Sequence, residues 1–241
     1  MFKGKKVIIF DMDGTLIDSV GIWNEIDEKL IKAIGDGTID DINIQVQRDT
    51  TLKKFASSED CYLEYCRFLK NKYKSDMEAE DILNLRYKMT KDYIENVVCY
   101  KKDAEKVINR LKELGYKLAI GTTTHKSNIE IYRTVNKNII KKANLDDYFD
   151  VIYAKEDVQK SKPDPEVHEK IMEFFNVKPE DCLIIEDALL GVEAAKNAGI
   201  DVITIYDEYS DFERKEINQI SEHNFKTFEE MLDYINKEID N

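Results

Sequence analysis

Glycine and proline are scarce in this 241-residue chain, with 9 and 3 copies. Linkers are therefore not marked by composition, and domain boundaries have to be read from the hydrophobic pattern. The four cysteines (Cys61, Cys66, Cys99, Cys182) form no CxxC pair, and the only histidines are His125, His168 and His223. That inventory argues against a zinc site, and scattered thiols in a chain of this size point to a reducing compartment. Long apolar runs are missing too. The run Val7 to Phe10 stops at Asp11, whereas a signal-peptide core needs ~7–15 residues and a membrane helix ~20. We read it as a buried strand and expect a cytoplasmic protein. Basic excess is also absent. The formal net charge is −13, a field that repels nucleic acid and anionic membranes, so neither is an expected partner. An anionic substrate would need local positive charge from a metal or a few placed Lys and Arg side chains. Nothing in the sequence marks an oligomer, and a monomer is the default expectation.

What is present reads as a soluble globular chain, 42% apolar and 35% charged. Short apolar runs predict buried parallel strands at Lys6–Phe10, Lys117–Ile120, Val151–Tyr153, Cys182–Ile185 and Val202–Ile205. Amphipathic helices are predicted between them. Ala104–Leu114 carries Val107, Ile108, Leu111 and Leu114 on one face and stops at Gly115; Pro165–Phe175 and Leu189–Ala198 behave alike, the latter followed by Gly199. The alternation predicts an α/β fold with a parallel sheet. Residues 19–97 break the rhythm with helical patterns at Ile22–Ile34, Asp60–Tyr73 and Ala79–Val97. The expected organisation is an α/β core of residues 1–17 and 98–241, with residues 18–97 as an inserted helical cap. Ligands of such sheets bind at the C-terminal strand ends.

Four positions carry chemistry. Asp11-Met12-Asp13-Gly14-Thr15 follows the first strand directly. Side chains alternate along a strand, so Asp11 and Asp13 can point the same way, and paired carboxylates suit Mg²⁺; DxDG is equally a turn signal. Thr122 ends the second strand, where a hydroxyl and free N–H groups can hold phosphate oxygens or cap the next helix. Lys162, in Ser161-Lys162-Pro163-Asp164-Pro165, could neutralise charge on a phosphate and a nucleophile; Lys160 competes for that role, and a lone lysine is commonly solvated. Glu186-Asp187 follows the fourth strand and could complete a metal site or cap a helix. Each has an ordinary structural reading by itself. Their common position at strand ends, in the order acid pair, hydroxyl, lysine, acid pair, favours one shared site.

In that order the residues resemble the haloacid dehalogenase superfamily, in its phosphatase-like branch with a helical cap inserted after the first strand. The fold implied is a Rossmann-like parallel sheet. The resemblance implies that Asp11 attacks phosphorus to form an aspartyl phosphate and that Asp13 is the general acid and base. Thr122, Thr123 through its amide, and Lys162 would hold the transferring phosphoryl group. Asp11, Asp13 through its backbone carbonyl, Glu186 and Asp187 would surround Mg²⁺. The dehalogenases of the superfamily lack the second aspartate, so C–Cl cleavage is not expected.

The substrate implied is a small phosphorylated metabolite. In the cap, Gln47-Arg48-Asp49-Thr50-Thr51-Leu52 resembles a β-phosphoglucomutase segment whose arginine grips the non-reacting phosphate, which implies that role for Arg48. Asp18-Ser19-Val20-Gly21-Ile22-Trp23 resembles sugar-phosphate phosphatases related to 2-deoxyglucose-6-phosphate phosphatase, with Trp23 where the mutase has histidine. Both cap residues have structural alternatives, a solvated Arg48 and a core Trp23. The expectation is a phosphatase of a sugar phosphate, with a phosphosugar mutase as the alternative and a non-catalytic phosphometabolite-binding protein behind it. The 40-residue span from Thr122 to Lys162 exceeds that of compact members, and Arg133–Leu145 is the expected place of the extra length.

Overall fold

The computed structural model describes residues 1–35, 43–55, 58 and 60–240. The chain divides into two compact units, Met1–Ser19 with Glu95–Asn241 and Val20–Ile94. The first unit contains a six-stranded, wholly parallel sheet. Its strands are β1 (Val7–Phe10), β2 (Lys117–Gly121), β3 (Val151–Tyr153), β4 (Cys182–Glu186), β5 (Asp201–Ile205) and β6 (His223–Phe225). They lie in the order β3-β2-β1-β4-β5-β6. Register is set by pairings such as Val7 with Lys117 on one side and with Cys182 on the other. Chain order reverses at the β1–β4 junction, the point where a doubly wound sheet opens a crevice at its C-terminal ends.

Burial explains the strands. All four residues of β1 and all five of β4 are buried, as expected where helices cover both faces of a parallel sheet. Val7, Ile9, Ala119, Cys182, Ile184 and Val202 form one core layer with Ile171, Val192, Ala195 and Ile217. The last four residues come from α9 (Glu166–Phe175), α10 (Leu189–Asn197) and α11 (Arg214–Ile220). The alternate residues Ile8, Phe10, Leu118, Ile120, Leu183 and Ile185 are buried as fully. α5 (Ala104–Glu113) packs against β2 and against α12 (Phe228–Asp240), which also meets β6. Between Thr122 and β3 lie α6 (Lys126–Thr134) and two one-turn helices, α7 (Lys137–Ile140) and α8 (Leu145–Tyr148). The sixth strand was not among the sequence expectations. It is three residues long, and only Phe225 of it is buried.

The second unit is helical: α1 (Val20–Ile34), α2 (Ile44–Lys54), α3 (Cys61–Lys72) and most of α4 (Ala79–Asn96). Asp60 caps α3 by accepting from the N–H groups of Tyr62 and Leu63. Leu30, Ile31, Tyr65, Cys66, Leu69 and Ile82 fill its core. Beside that core the wholly buried Asp27 accepts from Arg48 Nη1 at 3.1 Å and from Arg86 Nε at 2.8 Å. Arg48 Nη1 also donates to Asn24 at 3.1 Å.

Candidate active site

The strand ends deliver the acidic groups. β1 passes its ladder to Asp11, whose N–H donates to Ile185 of β4 at 3.0 Å. A tight turn follows: Leu16 and Ile17 donate to the Met12 carbonyl, and Gly14 sits at φ +83°. A side chain at Gly14 would be strained by that φ, and its Cβ would stand 2.5 Å from Asp187 Oδ2. Gly191, in the first turn of α10, makes room in the same way: a Cβ there would fall 1.6 Å from Glu186 Oε1. Two glycines thus hold open the space that two carboxylates occupy.

Asp11, Glu186 and Asp187 each place a carboxylate oxygen within 4.8 Å of the others'. Lys162, from the loop between β3 and α9, donates to Asp11 Oδ1 at 2.6 Å and to Glu186 Oε1 at 2.7 Å. The other oxygen of Glu186 accepts from the N–H groups of Asp187 and Ala188 at 2.8 and 3.1 Å. Asp187 is held by two hydroxyls, Thr15 on Oδ1 at 2.6 Å and Ser210 on Oδ2 at 3.2 Å. Asp13 faces a different set. Ser19 Oγ donates to its Oδ1 at 2.5 Å and Thr124 Oγ1 donates to its Oδ2. Its side chain is outside the three-carboxylate group.

Thr122 is buried at the end of β2 and its hydroxyl bonds Thr124 Oγ1 at 3.0 Å, while Thr123 is exposed. Trp23 and Arg48 belong to the helical unit. Trp23 is half-buried on α1. Arg48, expected to be either a phosphate grip or a solvated side chain, is not solvated: it is 7% exposed and paired with Asp27. A guanidinium buried at that depth needs a counter-charge, and Asp27 supplies it. The hydroxyls of Thr15, Ser19, Thr124 and Ser210 had no assigned role in the sequence reading. Ser210 lies on a short 3₁₀ turn, Glu208–Glu213, whose residues show no apolar period to announce it.

Electrostatics follow from burial. Desolvation pushes Asp11 up to about 7, against the pull of Lys162 and with help from Glu186. Asp13 is raised by burial, partly offset by its bonds from Ser19 and Thr124. Asp187 is pushed well above the carboxylate range by burial and by Glu186 and Asp11. Burial would pull Lys162 down, but Asp11 and Glu186 outweigh it and its pKa rises, so the ammonium is permanent. Among the described residues Lys162 is the one cation bonded to this cluster. One ammonium leaves three crowded carboxylates short of positive charge. An all-oxygen donor set with that deficit fits a hard divalent cation such as Mg²⁺.

Comparison with known proteins agrees with this architecture. Residues 8–205 match the profile of the haloacid dehalogenase-like hydrolases. The chain belongs to that family. It is 30% identical over 197 residues to a phosphoglycolate phosphatase of Aquifex aeolicus, covering 80% of this chain and 81% of the relative. It is 27% identical to a phosphorylated carbohydrates phosphatase of Thermotoga maritima, covering 82% and 83%. A solved structure from Thermotoga maritima, provisionally assigned as a β-phosphoglucomutase, superposes with a TM-score of 0.77 at 22% identity over 96% of this chain and 99% of that one. At that identity the superposition shows the shared fold. As a member of the family the chain is a hydrolase with an α/β core and a parallel sheet. Among the described residues, no helix is long and apolar enough to cross a membrane.

Proposed function

We propose that this hydrolase is a Mg²⁺-dependent phosphatase of a small phosphorylated metabolite, a sugar phosphate by class, working through an aspartyl phosphate on Asp11. The observation that carries the reading is the bridging of Asp11 and Glu186 by Lys162 next to Asp187. A buried nucleophile is thereby set beside a fixed positive charge. The phosphatase names of the relatives support the reaction, and the carbohydrate phosphatase among them supports the substrate class.

Asp11, Glu186 and Asp187, with the backbone carbonyl of Asp13, would hold the metal. When bound it would supply positive charge that keeps Asp11 ionised and offsets the charge of the phosphoryl oxygens. Lys162 and the Thr122 hydroxyl orient the phosphoryl group and balance its equatorial charge, which matters most in a loose, metaphosphate-like transition state. An Asp11 oxygen forms the bond to phosphorus as the ester P–O bond breaks, and Asp13 gives its proton to the departing alkoxide. A water then attacks the phosphorus of the aspartyl phosphate, Asp13 takes its proton, and Asp11 is released with inorganic phosphate. Burial around Asp13 favours the protonated acid that the first step needs.

The test is phosphate release from a panel of phosphorylated metabolites with Mg²⁺, repeated with EDTA. Release from at least one sugar phosphate, lost with EDTA and lost in Asp11→Asn, is the expected result. Folded protein that releases phosphate from no member, or an Asp11→Asn variant of unchanged rate, would overturn the reading. Sugar interconversion without net phosphate release would assign a mutase instead.

A further inference from the structure

We infer that Thr124 is a positioning residue for the proton-transfer step, its hydroxyl tying the phosphate-holding Thr122 to the general acid Asp13. This rests on the phosphatase reading above and adds a residue to it.

The backbone sets the arrangement. Beyond β2 the chain bends at Thr123 and Thr124, with Thr122 and Thr124 buried and Thr123 between them exposed. Thr122 N–H donates to the Tyr153 carbonyl at 3.0 Å, and the Thr124 carbonyl accepts from Lys155 N–H at 3.0 Å. Thr124 is therefore anchored on both sides before its side chain is considered. Its own N–H donates to Thr122 Oγ1 at 3.1 Å. Its Oγ1 accepts from the Thr122 hydroxyl at 3.0 Å and donates its only proton to Asp13 Oδ2. Ser19 holds the other Asp13 oxygen at 2.5 Å. The carboxylate thus stands between two hydroxyls, one on the segment leaving β1 and one on the segment leaving β2. Tyr132, 1% exposed, lies close enough to Asp13 to feel its charge, and its own hydroxyl bonds nothing among the described residues. The orientation of Asp13 therefore falls to Ser19 and Thr124.

Removing the Thr124 hydroxyl leaves Asp13 free to turn about the Ser19 contact. The proton then reaches the leaving oxygen off line, and a misplacement of about 1 Å at a reacting group costs on the order of 10²-fold. The loss depends on the leaving group. An alkoxide needs the proton as the P–O bond breaks, whereas p-nitrophenolate departs as a stable anion. Hydrolysis of the aspartyl phosphate needs Asp13 as a base for either substrate.

The experiment compares wild type, Thr124→Val and Thr124→Ser on glycerol 3-phosphate and p-nitrophenyl phosphate, with melting temperatures alongside. For Thr124→Val, kcat/KM on glycerol 3-phosphate should fall about 100-fold, while kcat/KM on p-nitrophenyl phosphate stays within about threefold. The valine variant should also show a burst of nitrophenolate, because breakdown of the aspartyl phosphate becomes the slow step. Thr124→Ser, which keeps the hydroxyl, should recover to within about threefold on both substrates. Equal loss of kcat/KM on the two substrates, or a serine variant as impaired as the valine variant, overturns the inference. Should the valine variant not fold, the same ratio is read from Thr124→Ala against Thr124→Ser. Wild type inactive on both compounds and on the whole metabolite panel would overturn the phosphatase reading itself, an outcome distinct from equal losses in an active enzyme.

Discussion

Asp27→Asn is the sharpest test of the helical unit, because it keeps the shape of a wholly buried side chain and removes its charge. Asp27 accepts from Arg48 at 3.1 Å and Arg86 at 2.8 Å. Arg86 is further fixed by its position 4.8 Å above the Tyr62 ring. Hydrogen bonds to charged groups contribute about 1.5–3 kcal/mol each, so two of them amount to roughly 3–6 kcal/mol by the same measure. Breaking a buried ion pair by removing one partner costs about 3–5 kcal/mol. The two approaches agree on a loss of about 3–5 kcal/mol, a large part of a typical total of about 5–15 kcal/mol. Urea unfolding followed by helical circular dichroism reads the loss as a lower midpoint at unchanged slope. Replacing the cluster together, Asp27→Leu with Arg48→Met and Arg86→Met, should recover most of it, since apolar side chains of similar volume leave no charge stranded. A loss below about 1 kcal/mol for Asp27→Asn would refute the ion-pair account. So would an Arg48→Met variant with an unchanged midpoint and a raised KM, which would make Arg48 a grip on substrate phosphate.

Three further predictions concern the sheet-bearing unit. Asp11 is raised from its ordinary 3.8 to about 7 without metal. Between those values the folded state binds more protons than the unfolded one, so the metal-free protein should lose stability as pH climbs from about 4 through 7. Mg²⁺ should accordingly raise the melting temperature more at pH 8 than at pH 5, and a larger rise at pH 5 would contradict the assignment. Ser210→Ala removes a hydroxyl from Asp187 Oδ2 and should weaken Mg²⁺ binding about 10-fold in a melting-temperature titration, with little change in the melting temperature of the metal-free protein. Gly191→Ala gains helix propensity but drives a methyl into Glu186. It should abolish Mg²⁺-induced stabilisation and phosphate release together, and a variant with normal metal response would show that Glu186 has room to move.

Much of the fold was legible because hydrophobic runs and helix stops report directly on burial. β1, β2, β4 and β5 begin and end within a residue of where the apolar runs place them. β6 escaped because His223-Asn224-Phe225 is a short edge segment, and no buried run marks it. At the site, Asp11, Lys162, Glu186 and Asp187 could be proposed as companions because each follows a recognisable strand or precedes a helix. Thr15, Ser19, Thr124 and Ser210 could not, since a hydroxyl's partner depends on how distant segments meet. Thr15 and Ser210 reach Asp187 from positions 172 and 23 residues away in the chain. Arg48 shows another limit: the local likeness could not reveal that the side chain is buried and paired with Asp27 across helices, which removes the solvated alternative.

The central place of β1 has a consequence for how the enzyme comes into being. Its neighbours are β2 and β4, which pair Val7 with Lys117 and with Cys182. A chain still lacking β4 exposes one whole edge of the strand that leads into Asp11, the kind of open edge that invites pairing with other molecules. It also lacks Glu186 and Asp187. Contacts of such long sequence separation form late and slowly, after loop-closure entropy has been overcome. Docking of β4 is therefore one event that covers the exposed edge and completes the acidic cluster of Asp11, Glu186 and Asp187. Assembly of the acidic cluster in this chain thus reports that β4 has taken its place beside β1.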